Sequence, residues 1–152
     1  MTPQDRQNVL SEAFTWLNTP YHHQANLKGV GVDCVMLLVE VYKACGLIAA
    51  AVDPRPYAHD WHVHRSEEVY LGGVEQLAER VDVPEPGDIA LFQFGRCVSH
   101  GALVVEWPLV MHAFIENSAV VLTDICKSAD LTNRLRGFYT LRAEHGRTIQ
   151  EP

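Results

Sequence analysis

Asp33-Cys34-Val35-Met36-Leu37-Leu38-Val39-Glu40-Val41-Tyr42-Lys43-Ala44-Cys45-Gly46 decides the fold, because after Asp33 it is charged only at Glu40 and Lys43. A helix this apolar on every side has to be a buried, central one. Asp33 suits the N-cap, since its carboxylate can accept from the first free N–H groups, and Gly46 suits the C-terminal stop. A buried strand is the rival reading. The length of the run between these two signals favours the helix.

Working outward, Thr2-Pro3 with Asp5 reads as a second helix start: cap, proline at the first position, and an acid in the first turn. Val9, Leu10, Ala13, Phe14 and Leu17 mark its apolar face, and it is expected to stop before Pro20. Residues 20–33, with Gly29 and Gly31, read as an ordered loop. Residues 49–64, with Pro54 and Pro56, read as another. A helix is expected over about 66–80. Pro84-Glu85-Pro86-Gly87-Asp88 is a turn, after which the apolar period changes to two. Strands are expected at Ile89–Phe94, Val98–Glu106, Leu109–Ile115, Val120–Thr123 and Gly137–Leu141, with a short helix near 127–134. Helices first and strands afterwards give an α+β class, helices packed on an antiparallel sheet.

The chain of 152 residues fits one domain, expected to span 1–152. Apolar residues are 47% and charged residues 20%, which argues against disorder. The net charge of −7 argues against non-specific nucleic-acid binding and against an anionic membrane surface. No apolar run reaches the length of a membrane span, and the polar start Met1–Asn8 lacks the apolar core of a signal peptide. Cys34, Cys45, Cys97 and Cys126 show no C-x-x-C spacing and read as reduced thiols. Cys45 and Cys126 are expected in the core, and Cys97 is given no role.

Cys34 then falls at the first position of the central helix. The free N–H groups and partial positive charge there favour a thiolate and can hold an oxyanion, while the Asp33 charge works against the thiolate. The competing reading is a small buried apolar residue. His100 and His112 lie on consecutive strands. A three-residue connection, Glu106 to Pro108, pairs Val105 with Leu109 and puts both histidines on one face as diagonal neighbours, roughly 7 Å apart. An even-length connection puts them on opposite faces. A thiol attacking an amide needs a base to take its proton and an acid to protonate the leaving amine, and one histidine can do both. A third polar group fixes that histidine's tautomer. Cys34, His100 and His112 can fill these roles in that order.

Other clusters read more weakly. His59, Asp60, His62 and His64 carry metal-ligand chemistry but sit in a proline-flanked loop without nearby cysteines. That loop reads as a cleft border, with Tyr57 and Trp61 as contact residues or Trp61 as a satellite of the core. His22 and His23 either bind an acidic peptide or belong to a solvated loop. Gly29-x-Gly31 is no dinucleotide fingerprint, and there is no Walker loop or G-x-S-x-G elbow. No cofactor or metal is called for.

The segment Thr19–Cys34 resembles the active-site entry of the NlpC/p60 cell-wall cysteine peptidases, and most of all their phage-tail and gene-transfer-agent branch. Pro86-Gly87-Asp88-Ile89-Ala90-Leu91-Phe92, Ser99–Val105 and Val110-Met111-His112-Ala113 complete the resemblance, which covers roughly residues 5–142. It implies a papain-like α+β fold with Cys34 as nucleophile, His100 as base and His112 as the third polar residue. Tyr21 matches the family's tyrosine near the thiol, with Asp33 and Trp61 grouped with it as oxyanion or substrate contacts. The implied activity is hydrolysis of amide bonds in peptidoglycan stem peptides, commonly between D-glutamate and diaminopimelate. The implied partners are phage-tail-like proteins. The implied location is the cytoplasm until assembly into a phage-like particle, and then the bacterial cell wall. A departure follows Asp33-Cys34: the family usually has small residues there, this chain has Val35 and Met36, and Met36 is expected to crowd the approach to the site.

Overall fold

The computed structural model describes residues 1–58 and 68–142. Helix α1 spans Pro3–Phe14, capped by Thr2, whose hydroxyl accepts from the Asp5 N–H at 3.0 Å while the Asp5 carboxylate accepts from the Thr2 N–H at 2.8 Å. It stops earlier than its apolar pattern suggests. Asn18, at φ +66°, turns the chain so that its N–H reaches the Val120 carbonyl. That turn buries Trp16, which the helical pattern had left out, and leaves Phe14 largely exposed.

Helix α2 spans Cys34–Ala44 with Asp33 as its cap, as its sequence dictates. Gly46 ends it at φ +68°, with the Leu47 N–H bonded to the Tyr42 carbonyl. Before α2 the 20–33 loop holds a small hairpin, β1 (Asn26–Leu27) with β2 (Gly31–Val32), turned by Gly29 at φ +78°.

Helix α3 covers Val69–Leu77, and residues 78–80 are not helical as the sequence suggested. Strand β3 (Ala78–Val81) begins there instead, because pairing with β8 (Leu135–Leu141) outweighs local helical preference; Ala78 is buried opposite Leu141. The remaining strands follow the alternation closely: β4 (Ile89–Phe94), β5 (Cys97–Glu106), β6 (Leu109–Phe114) and β7 (Ala119–Asp124). Helix α4 (Ala129–Arg134) precedes β8. The sheet order is β3-β8-β4-β5-β6-β7, antiparallel throughout.

Both faces of this sheet are covered. The larger core joins Val9, Met36, Leu37 and Val41 of α1 and α2 to Leu91, Leu103 and Met111 of the sheet. A smaller one behind it holds Ala90, Phe92, Val104, Val110, Ile125 and Leu131. The Pro86–Asp88 turn ties sheet to helices. Gly87, at φ +89°, donates to the Val104 carbonyl and accepts from the Tyr42 hydroxyl, and Arg6 of α1 meets the buried Asp88 carboxylate at 2.8 Å. Cys126 is exposed rather than in the core, because it lies in the turn after β7. Among the described residues no helix is long and apolar enough to cross a membrane.

Candidate active site

Three elements converge on Cys34: the N-terminus of α2, the Pro20–Tyr21 segment, and the end of the sheet where β4 stops, β5 starts and β6 stops. Pro20 bridges to Ala119 and Tyr21 to Val32, which fixes the Tyr21 side chain beside the helix start. A cleft of about 150 Å³ lies there, lined among others by Tyr21, Asp33, Cys34, Tyr57, His100 and Phe114.

The β5–β6 connection brings the histidines together by a different route from the one expected. The turn itself has two residues, Trp107-Pro108, joining Glu106 to Leu109. A bulge between Val104 and Glu106 adds the odd residue, so Val104 still pairs Val110 and Leu103 pairs Met111. His100 and His112 therefore share a face, with His100 Nε2 at 2.7 Å from His112 Nδ1. His112 Nε2 lies 2.9 Å from Thr123 Oγ1 on β7. With Nε2 committed to His112, Nδ1 is the His100 nitrogen left for the cleft. One tautomer pair makes it an acceptor: His100 Nε2–H donates to His112 Nδ1, and His112 Nε2–H donates to Thr123 Oγ1. Phe92, Phe94 and Phe114 surround the His100 ring, with centroids 5.5–5.9 Å away.

Cys34 is nearly buried, its Sγ 4.0 Å from the Ser99 carbonyl. Burial first, and the Asp33 charge second, push its thiol up to about 12, against the pull of the backbone N–H groups of Gly101, Cys34 and Val35. Burial, helped by His112, pushes His100 well down, and burial alone lowers His112 to about 4. At neutral pH the cleft therefore holds a neutral thiol and a neutral imidazole. Burial, reinforced by Cys34 and Asp33, also raises the Tyr21 phenol, which stays a hydrogen-bond donor.

Asp33 is more than a cap. Its Oδ1 accepts from the Met36 N–H at 2.9 Å; its Oδ2 accepts from the Gln24 N–H at 2.7 Å and the Tyr57 hydroxyl at 2.6 Å. His23 lies 3.7 Å from the same oxygen and bonds the Tyr57 carbonyl at 3.0 Å, so it braces this loop rather than standing in solvent. Met36 is fully buried in the main core and does not line the cleft, so it does not crowd the approach; Val35 does line it. Trp61, His59, Asp60, His62 and His64 lie outside the described residues. Among the described residues no group of three or more His, Cys, Asp or Glu side chains could hold a metal ion. The sequence did not reveal Thr123. Its only signal is alternation from Val121, which pairs with His112.

No protein-family model matches the chain, and no curated protein does. Solved structures do resemble it. A lipoprotein-like protein of the NLP/p60 family from Staphylococcus aureus superposes with a TM-score of 0.66 at 18% identity, over 93% of this chain and 42% of that one. The NlpC/p60 domain of the peptidoglycan hydrolase SagA gives 0.59 at 16% identity, over 90% and 98%. The peptidoglycan hydrolase RipB from Mycobacterium tuberculosis gives 0.55 at 18%, over 90% and 64%. The chain thus spans less than half of the staphylococcal protein but nearly all of the SagA domain. Helices packed on an antiparallel sheet, with Cys34 opening the buried helix, are in this chain the papain-like α+β fold of the NlpC/p60 domains.

Proposed function

We propose that the chain is a thiol hydrolase that cleaves amide bonds in peptidoglycan stem peptides. The observation that carries this is the relay His100–His112–Thr123 in one cleft with a cysteine at a helix N-terminus. Similar solved structures that include peptidoglycan hydrolases support the substrate class.

In this reading His100 Nδ1 takes the thiol proton as Cys34 Sγ attacks the scissile carbonyl. Transfer during attack suits a pair that rests neutral. The oxyanion is held by backbone N–H groups at the start of α2 and by the Tyr21 hydroxyl. The C–N bond then breaks, the amine leaves with the proton from His100, and the acyl group remains on Cys34 as a thioester. Water, deprotonated by His100, hydrolyses the thioester and restores the thiol. His112 holds the His100 tautomer, and Thr123 holds that of His112.

The finer placement, in a phage tail or gene-transfer-agent particle acting at the bacterial wall after cytoplasmic assembly, is supported by the Thr19–Cys34 resemblance. A synthetic stem peptide with a D-glutamyl–diaminopimelate bond tests the activity. Cleavage that stops when Cys34 is alkylated supports the reading, and cleavage that survives full alkylation refutes it.

A further inference from the structure

A second and larger cavity, about 550 Å³, adjoins the cleft between α2, α3 and the 48–58 segment. Leu38, Val39 and Tyr42 of α2 form one wall and Val69, Val74 and Leu77 of α3 the other. Apolar helix faces ordinarily close on each other to the density of an organic crystal. Here they leave a space: Tyr70, Leu71, Val74 and Leu77 of α3 pack against the edge of the main core, yet each is only partly buried. Two adjacent glycines, Gly72 and Gly73, sit inside this nine-residue helix, each costing about 1 kcal/mol of helix stability relative to alanine. A Cβ at Gly73, on the cavity wall, would meet nothing within 4 Å. The helix is thus weakened where a side chain would narrow the opening.

The walls also define what can enter. The Tyr42 hydroxyl is bonded to the Gly87 carbonyl, the Tyr57 hydroxyl to Asp33, and the Asp53 carboxylate to Arg55. Among the described residues no lysine or arginine lines the space. A charged group there would lose hydration with little beside it but the Arg55-paired Asp53 carboxylate and the polar atoms of Tyr70 and Gln76, whereas an aliphatic one would gain from burial. The volume is that of an ordinary small-molecule site, about 300–1,000 Å³. Val35, Tyr57 and Ala58 line both this cavity and the cleft, so one molecule can occupy the two.

We propose that this cavity is a further subsite for an uncharged aliphatic chain beside the bond that Cys34 attacks, which widens the substrate range beyond stem peptides, whose flanking groups are charged. The proposal rests on the reading of Cys34 as nucleophile. It predicts that amides and esters with a long acyl chain react better than their short-chain counterparts.

Two readouts on the 152-residue chain test it. The first is saturable fluorescence of the neutral probe N-phenyl-1-naphthylamine, displaced by decanamide. The second is acylation of Cys34 by 4-nitrophenyl decanoate against 4-nitrophenyl acetate. Expected are displaceable binding and an acylation rate about ten-fold or more higher for decanoate, a difference equal to one decade of affinity. Gly73→Phe, which fills the mouth, should remove both effects and leave acetate acylation as it was, with a thermal midpoint no lower than that of the wild type. Val69→Asp, at an exposed wall position, should weaken binding without unfolding the chain. Absence of displaceable binding, or binding and chain-length preference unchanged in both variants, overturns the subsite. Iodoacetamide labelling of Cys34 separates the two readings. A reactive Cys34 with no probe binding sinks the subsite alone. Probe binding beside an inert Cys34 sinks the hydrolase and leaves the cavity as an aliphatic-ligand site.

Discussion

His100 Nε2 stands 2.7 Å from His112 Nδ1, and His112 in turn reaches Thr123 Oγ1 at 2.9 Å. These contacts cross three adjacent strands, β5, β6 and β7, so the orientation of the His100 ring depends on the register of the sheet. A residue at 112 that cannot accept from His100 leaves the His100 ring, the proposed base, free to adopt the wrong tautomer.

His112→Leu should therefore lower kcat by roughly 10²–10⁴-fold, the range of general acid–base assistance, while iodoacetamide still labels Cys34 at high pH. The His112→Gln variant, which retains an acceptor, should recover part of the loss. Equal kcat in wild type and His112→Leu would remove His112 from the relay.

The Asp33 charge faces the thiol it precedes and raises it, second only to burial. Asp33→Asn keeps an N-cap acceptor for the Met36 N–H but removes the charge. Alkylation of Cys34 by iodoacetamide at pH 8 should then be several-fold faster. A slower reaction would mean that the carboxylate helps the thiolate, contrary to the electrostatics of the site.

His112 carries a pH signature of its own. Its folded value, about 4, lies below the 6.5 of an exposed histidine, because the buried ring resists charge. Above pH 6.5 both folded and unfolded chains hold it neutral, and it has no effect. Between 6.5 and 4 only the unfolded chain takes up the proton, so stability falls as pH falls, by about 3 kcal/mol in all. His100 adds to this in the same direction. Urea unfolding at pH 7.5, 6 and 4.5 should show the decline, with a shallower slope in His112→Gln. A flat profile would contradict the burial of a neutral pair.

Much of this was legible in the residues. The apolar run at 34–45 with Asp33 before it, and the alternation from Ile89 onward, dictate α2 and β4–β6 almost to the residue. The shared face of His100 and His112 is also as expected, but the three-residue turn is not: the turn has two residues, and a bulge supplies the odd count. What escaped is what distant partners decide. β3 is a strand because β8 lies beside it, and Thr123 joins the relay through β6–β7 register. Trp16 is buried because the chain turns at Asn18 toward β7. Pattern alone also could not tell which way Met36 points.

That last residue gives a prediction. Met36 is wholly buried in the main core, so Met36→Gly should not open the cleft to substrate. It should leave a core cavity and a helical glycine, costing about 3–5 kcal/mol in urea unfolding, without raising kcat. A stable variant with higher turnover would show that the methionine obstructs the site after all.

The most direct test is digestion of purified peptidoglycan by wild type and by Cys34→Ala, with the released fragments read by mass spectrometry. The account predicts stem-peptide fragments from the wild type and none from Cys34→Ala, with the new termini naming the bond. The same fragments at the same rate from Cys34→Ala would contradict a thiol mechanism outright. No fragments from a correctly folded wild type would contradict the stem-peptide substrate.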